Sequence, residues 1–141
     1  MFEQETNIIG KANLNAEIKN DYDLLNAIDA GIKPSAINHV SKLSGITQKT
    51  LVSLMKIDPK TFLRRKQSGL LKPMESDRLL AITKVYAHAL DIFGTAEKTL
   101  SWLNEANLAL NNAKPLDLLS SEHGCSLVTE VLYRIDYGIY S

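Results

Sequence analysis

Seven cations, Lys49, Lys56, Lys60, Arg64, Arg65, Lys66 and Lys72, stand against the single acid Asp58 between Gln48 and Lys72, a local balance of +6. Residues 1–47 hold six acids and four bases, and residues 73–141 hold nine acids and five bases, so the formal charge of the chain is zero. The neutrality hides a dipolar molecule, and only the local field attracts phosphates. The chemistry these residues offer is nucleic-acid recognition. Lys49, Lys66 and the backbone near Gln48 are placed to hold phosphates, while Lys60, Thr61, Arg64 and Arg65 point toward base edges.

Other side chains that could do chemistry do not converge. His123 and Cys125 are two residues apart, but His39 and His88 lie on other segments and no second cysteine completes a metal-binding spacing. There is no glycine-rich phosphate loop, no nucleophile elbow and no Cys-His or paired-carboxylate spacing. Glu75, Asp77 and Arg78 form a charged cluster that capping and dipole effects at a helix start explain. The expectation is a non-enzymatic protein without metal or cofactor. The lone Cys125 permits no internal disulfide. No apolar run approaches the ~20 residues that span a bilayer, and Met1-Phe2-Glu3-Gln4-Glu5 lacks the basic and apolar regions of a signal peptide, so no membrane partner and a cytoplasmic location are expected.

A chain of 141 residues, 45% of them hydrophobic, can bury a core. Residues 1–20 show no sustained period and read as a flexible arm. Asp21 or Asp23 caps a helix carrying Leu24, Leu25 and Ile28 and stopping at Gly31; Pro34-Ser35 opens a second with Ile37, Val40 and Leu43, stopping at Gly45. Thr47 caps the third, whose inner side is Leu51, Val52, Leu54 and Met55. The turn Lys56-Ile57-Asp58 leads to Pro59, which starts a fourth helix running to Gly69.

Helices three and four have helix-turn-helix spacing: Gln48 opens the bracing helix, Val52 packs inside it, Ile57 lies in the turn and Phe62 anchors the recognition helix. The turn position that glycine often fills is Lys56 here, which weakens the match, and the pattern alone also fits an ordinary helical hairpin with a solvated basic face. A long helix starts at Pro73 with a stripe of Leu79, Ile82, Tyr86, Ala89, Leu90 and Phe93, and closes at Gly94. Thr95 caps another, through Leu100, Trp102 and Leu103. Residues 107–115 are turn-rich, and Ser120 or Ser121 precedes a last helix with Leu127, Val128, Val131, Leu132 and Ile135 before Gly138. No alternating strand pattern of useful length occurs, so the fold class is all-α.

In the C-terminal half, Trp102, Leu116, Tyr133, Tyr137 and Tyr140 are the residue types that anchor interfaces, although Trp102 and Leu116 serve equally well as core. Tyr137, Ile139 and Tyr140 flank or follow the helix stop and have no core reason to be apolar.

Thr50-Leu51, Leu54, Ile57, Pro59-Lys60-Thr61, Arg64-Arg65, Gly69-Leu70-Leu71 and Glu75-Ser76-Asp77-Arg78 together resemble the helix-turn-helix core of antitoxins of the Xre/MbcA/ParS group. Ala89, Phe93-Gly94, Ala96, Trp102-Leu103, Asn107, Ala109-Leu110, Pro115-Leu116-Asp117-Leu118-Leu119, Gly124, Val128, Leu132, Ile135 and Tyr137-Gly138 resemble their toxin-binding domain. The resemblance covers about residues 24–140 and leaves residues 1–20 without a counterpart. It implies an Xre-like DNA-binding domain over 21–72, a connecting and dimerisation helix over 73–94 and a toxin-neutralising domain over 95–141. It further implies a homodimer that represses its own operon by binding operator DNA at Gln48, Lys49, Lys60, Thr61, Arg64, Arg65 and Lys66. The partner it implies is a cognate RES-domain toxin that consumes NAD, its pocket closed sterically by a surface of Trp102, Leu116, Arg134, Tyr137, Gly138, Ile139 and Tyr140. The competing reading is a stand-alone Xre-type transcriptional regulator without a toxin.

Overall fold

The computed structural model describes residues 2–14 and 16–138. Among them there are α-helices and short 3-10 turns but no strand, the all-α class expected. The helices are α1 (Phe2–Ile9), α2 (Asp21–Ala30), α3 (Ser35–Ser44), α4 (Gln48–Leu54), α5 (Pro59–Ser68), α6 (Pro73–Phe93), α7 (Ala96–Leu103) and α8 (Glu122–Asp136).

Helix α6 is the axis of the molecule. Leu79, Leu80, Ile82, Thr83, Val85, Tyr86, Ala87 and Ala89 are all buried, a stripe too broad for one neighbour to cover. Helices α1 and α2 pack against it from the N-terminal half, α7 and α8 from the C-terminal half. Two hydrogen bonds tie the junction between α2 and α3 to the start of this axis: Leu71 N–H, just before α6, donates to the Ile32 carbonyl at 2.8 Å, and Ile32 N–H donates to the buried Ser76 hydroxyl at 3.1 Å. Gly31 is required at that junction, because its φ is +99° and a Cβ there would stand 2.7 Å from the Leu71 carbonyl oxygen.

The N-terminal segment is not the loose arm its sequence suggests. Residues 2–9 form α1, which lies on α3 and α6 with Ile8 and Ile9 buried. Gln4 Nε2 donates to Asp91 Oδ1 at 3.1 Å, His39 Nδ1 lies 2.8 Å from the Ile8 carbonyl oxygen, and the buried Asn13 amide donates to the Ile9 carbonyl at 2.8 Å. A helix of two turns repeats its apolar positions too few times to show a period, and its buried face includes the polar Thr6. Tertiary contact, not propensity, holds it.

The C-terminal half is built from α7, the 3-10 turns Leu108–Leu110 and Pro115–Ser120, and α8. Ser121 caps α8, its hydroxyl accepting from Gly124 N–H at 2.9 Å. Gly124 itself is pressed so closely to the preceding turn that a Cβ would fall 1.8 Å from the Leu118 carbonyl oxygen. None of the helices of the described residues is long and apolar enough to cross a membrane.

Candidate nucleic-acid interface and partner surface

Helices α4 and α5 form the helix-turn-helix that the spacing predicted. Thr47 caps α4 by accepting from Thr50 N–H at 3.1 Å, and Asp58 caps α5 by accepting from Lys60 N–H at 3.2 Å. Pro59 occupies the first turn of α5, where the missing N–H leaves nothing unpaired. Val52 and Ile57 are buried and Phe62 half-buried, which seats the recognition helix on its brace. Lys56 holds φ +59° in the turn. A lysine thus adopts the left-handed backbone that glycine accepts freely, at about 1–2 kcal/mol.

The charged side chains of this unit divide into two sets. Lys49, Lys60, Arg64 and Lys66 are exposed. Arg64 leans on the half-buried Thr61, its guanidinium donating to Oγ1 at 3.4 Å, so both sit on the first two turns of α5, the part of a recognition helix that enters the groove. Lys66 rests its ammonium 4.5 Å from the Phe62 ring centroid. Gln48 at the start of α4 donates through Nε2 to Asn38 Oδ1 at 2.8 Å, which fixes the amide beside the expected phosphate position.

Arg65 belongs to the other set, and the expectation that it faces base edges is corrected. It is turned inward, its Nε 2.9 Å from Glu75 Oε1 and its terminal amino group 3.4 Å from Oε2, and the two side chains are only 11% and 14% exposed. Glu75 also accepts from Lys72 N–H at 2.8 Å at the start of α6; lysine offers no acceptor in return, so only the glutamate half of a capping box forms. Burial pushes the Glu75 carboxyl toward the neutral form, but the Arg65 bond, the Lys72 N–H and both cations outweigh it and hold the pKa below the usual value. The pair clamps the end of α5 to the beginning of α6. In the sequence Arg64 and Arg65 look equivalent; the helical turn of 100° between them separates surface from interior.

The proposed partner surface is likewise split. Leu116 is 7% exposed and belongs to the core, which corrects its assignment as an interface residue. Trp102 is half-buried against Phe93, with ring centroids 5.3 Å apart. Arg134 lies on the outside of α8, 2.6 Å from Glu130 one turn back. Tyr137 is 76% exposed and stacks on Tyr133 with centroids 6.4 Å apart, Tyr133 in turn meeting the edge of His88 at 4.6 Å. Gly138 follows with φ +73°. Ile139 and Tyr140 lie outside the described residues.

No group of three or more His, Cys, Asp or Glu among the described residues could hold a metal ion. Cys125 is buried, its thiol directed at the Leu119 carbonyl 3.6 Å away, and burial pushes its pKa up. Leu108 is 84% exposed on the turn Leu108–Leu110, which carries no periodic signal.

Residues 23–83 match the family model described as the antitoxin Xre-like helix-turn-helix domain, and residues 88–138 match the antitoxin Xre/MbcA/ParS C-terminal toxin-binding domain. Among curated proteins, the chain is 25% identical over 120 residues to an antitoxin Xre of Yersinia enterocolitica, covering 84% of this chain and 81% of the relative. It is 27% identical over 120 residues to an antitoxin Xre of Photorhabdus laumondii, covering 83% and 81%. A third antitoxin Xre, from Pseudomonas putida, is 33% identical over 64 residues, 45% of this chain and 40% of that one.

Proposed function

This chain belongs to the Xre-type antitoxins, and from that membership we propose that it neutralises a RES-domain toxin by blocking the toxin's NAD pocket and represses its own operon as a homodimer in the cytoplasm. As a member it combines a helix-turn-helix domain with a toxin-binding domain. The observation that carries the finer reading is the segregation of surfaces. A cationic helix end, with Lys60, Thr61 and Arg64, suits phosphates and base edges, and at the other half α8 ends in the outward-facing Tyr137. The two surfaces suit different partners, so one molecule can silence a toxin and a promoter.

In operator binding, Lys49 and Lys66 hold phosphates and the first turns of α5 read bases; two copies across one helical turn of DNA, about 34 Å, would engage two half-sites, and since α6 is covered within the chain, the copies would meet through the helices around it. In neutralisation, the blockade is steric. Tyr137, followed by Gly138, Ile139 and Tyr140, supplies aromatic and aliphatic surface for a pocket built to stack a nucleotide, with Arg134 and Trp102 docking outside it. The chain then needs no cofactor and no chemistry of its own.

The test is reconstitution. The protein encoded in the adjacent reading frame is expressed with and without this chain, and NAD is measured in the cells and in a purified mixture. Depletion that this chain prevents supports the reading. A neighbour that leaves NAD untouched would remove the RES assignment, and depletion that the chain does not prevent would remove the neutralisation reading. Deletion of residues 137–141 is expected to restore NAD loss while leaving operator affinity within about two-fold.

A further inference from the structure

Asn38 makes a contact that the fold itself does not need. It stands on the exposed side of α3, and its Oδ1 accepts from Gln48 Nε2 at 2.8 Å, across the turn between α3 and α4. Water competes for both amides at that surface, so the bond adds little to stability. What it removes is freedom: a glutamine anchored through its amide has lost most of its rotamers before any partner arrives. The anchor is itself firmly placed. Ala36, Ile37 and Val40 of the same helix are fully buried, His39 Nδ1 lies 2.8 Å from the Ile8 carbonyl oxygen, and the Ser35 hydroxyl donates to the Asn13 side chain. Helix α3 is thus pinned by α1 and the turn that follows it, and Asn38 is left on its open side.

Gln48, at the other end of the bond, is the first residue of α4, and the bracing helix of a helix-turn-helix is the one that crosses the DNA backbone. A side-chain amide carries two N–H protons. Asn38 takes one of those on Gln48 Nε2, and among the described residues no acceptor takes the other. A neutral donor held in this way suits a phosphate oxygen, which can only accept.

We infer that Asn38 is a positioning residue for operator binding: from a helix that precedes the helix-turn-helix, it orients the Gln48 amide so that the second N–H meets a backbone phosphate. The inference rests on the operator-binding reading above and adds to it a residue outside α4 and α5. The pair carries no charge, so it adds nothing to the long-range attraction that draws DNA in. It fixes instead how α4 sits on the backbone, and with that the register in which Lys60, Thr61 and Arg64 meet the bases. Ordering one such side chain in advance is worth about three- to ten-fold in affinity.

Fluorescence-anisotropy titrations of the full chain on a duplex of its own promoter region, repeated across salt concentrations, test this, with melting temperature measured on the same samples. Asn38→Ala is expected to bind about three- to ten-fold more weakly at every salt concentration, with the salt slope and the melting temperature unchanged, because no cation is lost. Gln48→Ala is expected to weaken binding at least as much. The double variant should then bind like Gln48→Ala alone, the signature of a residue that acts through the other. Asn38→Ala binding like the wild type overturns the inference. So does a double variant in which the two losses multiply, since Asn38 then acts independently of Gln48, and so does a flattened salt slope, since the cationic face has then shifted as a whole. A wild-type chain that does not bind the duplex refutes the operator-binding reading itself, and that outcome is told apart because it needs no variant.

Discussion

Arg64 and Arg65 should behave as opposites, and the difference can be worked out from their surroundings. Replacing Arg65 with alanine strips a carboxylate that is 14% exposed of its bidentate partner. Breaking a buried pair by removing one member costs about 3–5 kcal/mol when the survivor is sealed from water. Glu75 keeps the Lys72 N–H and some solvent, so about 2–3 kcal/mol is the appropriate magnitude, or about 6–9 °C of melting temperature at about 3 °C per kcal/mol for a chain of this length. Arg64→Ala removes an exposed guanidinium whose one protein bond is a 3.4 Å contact to Thr61, and its stability should move by less than about 0.5 kcal/mol.

Operator affinity inverts the order. Arg64→Ala is expected to weaken binding by about 1–3 kcal/mol, whereas Arg65→Ala weakens it only as far as α5 loosens against α6. Urea melts of the two variants and of Glu75→Gln, combined in a double-mutant cycle, isolate the pair. The carboxyl of Glu75 is held below its ordinary 4.5 in the fold, so its stabilisation is complete above that value and disappears as pH falls through the lower folded pKa. Stability of the wild type should therefore drop below about pH 4.5 more steeply than that of Glu75→Gln. If Arg65→Ala melts with the wild type while Arg64→Ala is destabilised, or if Glu75→Gln shows the same acid limb as the wild type, the clamp has been misread.

Four further outcomes follow from the same geometry. Lys66→Ala should weaken binding to all DNA sequences alike and flatten the salt slope by about one unit, which a filter-binding titration across salt concentrations would measure. The Tyr86 hydroxyl is buried with no hydrogen-bond partner among the described residues and burial pushes its pKa up, so Tyr86→Phe should stabilise by about 1 kcal/mol; a loss of stability in urea would mean the hydroxyl is satisfied. Gly124→Ala drives a Cβ into the Leu118 carbonyl and should cost at least about 2 kcal/mol by thermal melting, with toxin affinity falling before operator affinity. Lys56→Gly releases the left-handed strain at φ +59° and should be stabilising by up to about 1 kcal/mol, less the added freedom of the unfolded chain.

What could be read from the sequence was local. The cap at Thr47, the Pro59 start, the glycine stops and the stripe of α6 are signals confined to a few residues, and each stands where its spacing put it. What escaped depends on partners far along the chain. Helix α1 exists because α3 and α6 cover it; Arg65 is buried because Glu75 lies ten residues on; Leu116 is core because the turn Pro115–Ser120 folds inward beneath α8. None of these leaves a local period, since what buries each residue is a partner outside its own helical repeat.

Lys56 shows the same limit from the other side. Its lysine departs from the glycine that such turns often carry, yet the backbone there still reaches φ +59°, and Ile57 N–H still donates to the Val52 carbonyl at 3.1 Å. The turn is set by burying Val52 and Ile57 together. At roughly 1.5–3 kcal/mol for each fully buried side chain, that gain exceeds the 1–2 kcal/mol of left-handed strain. The motif's geometry is thus enforced by its apolar positions, and the turn residue is free to vary.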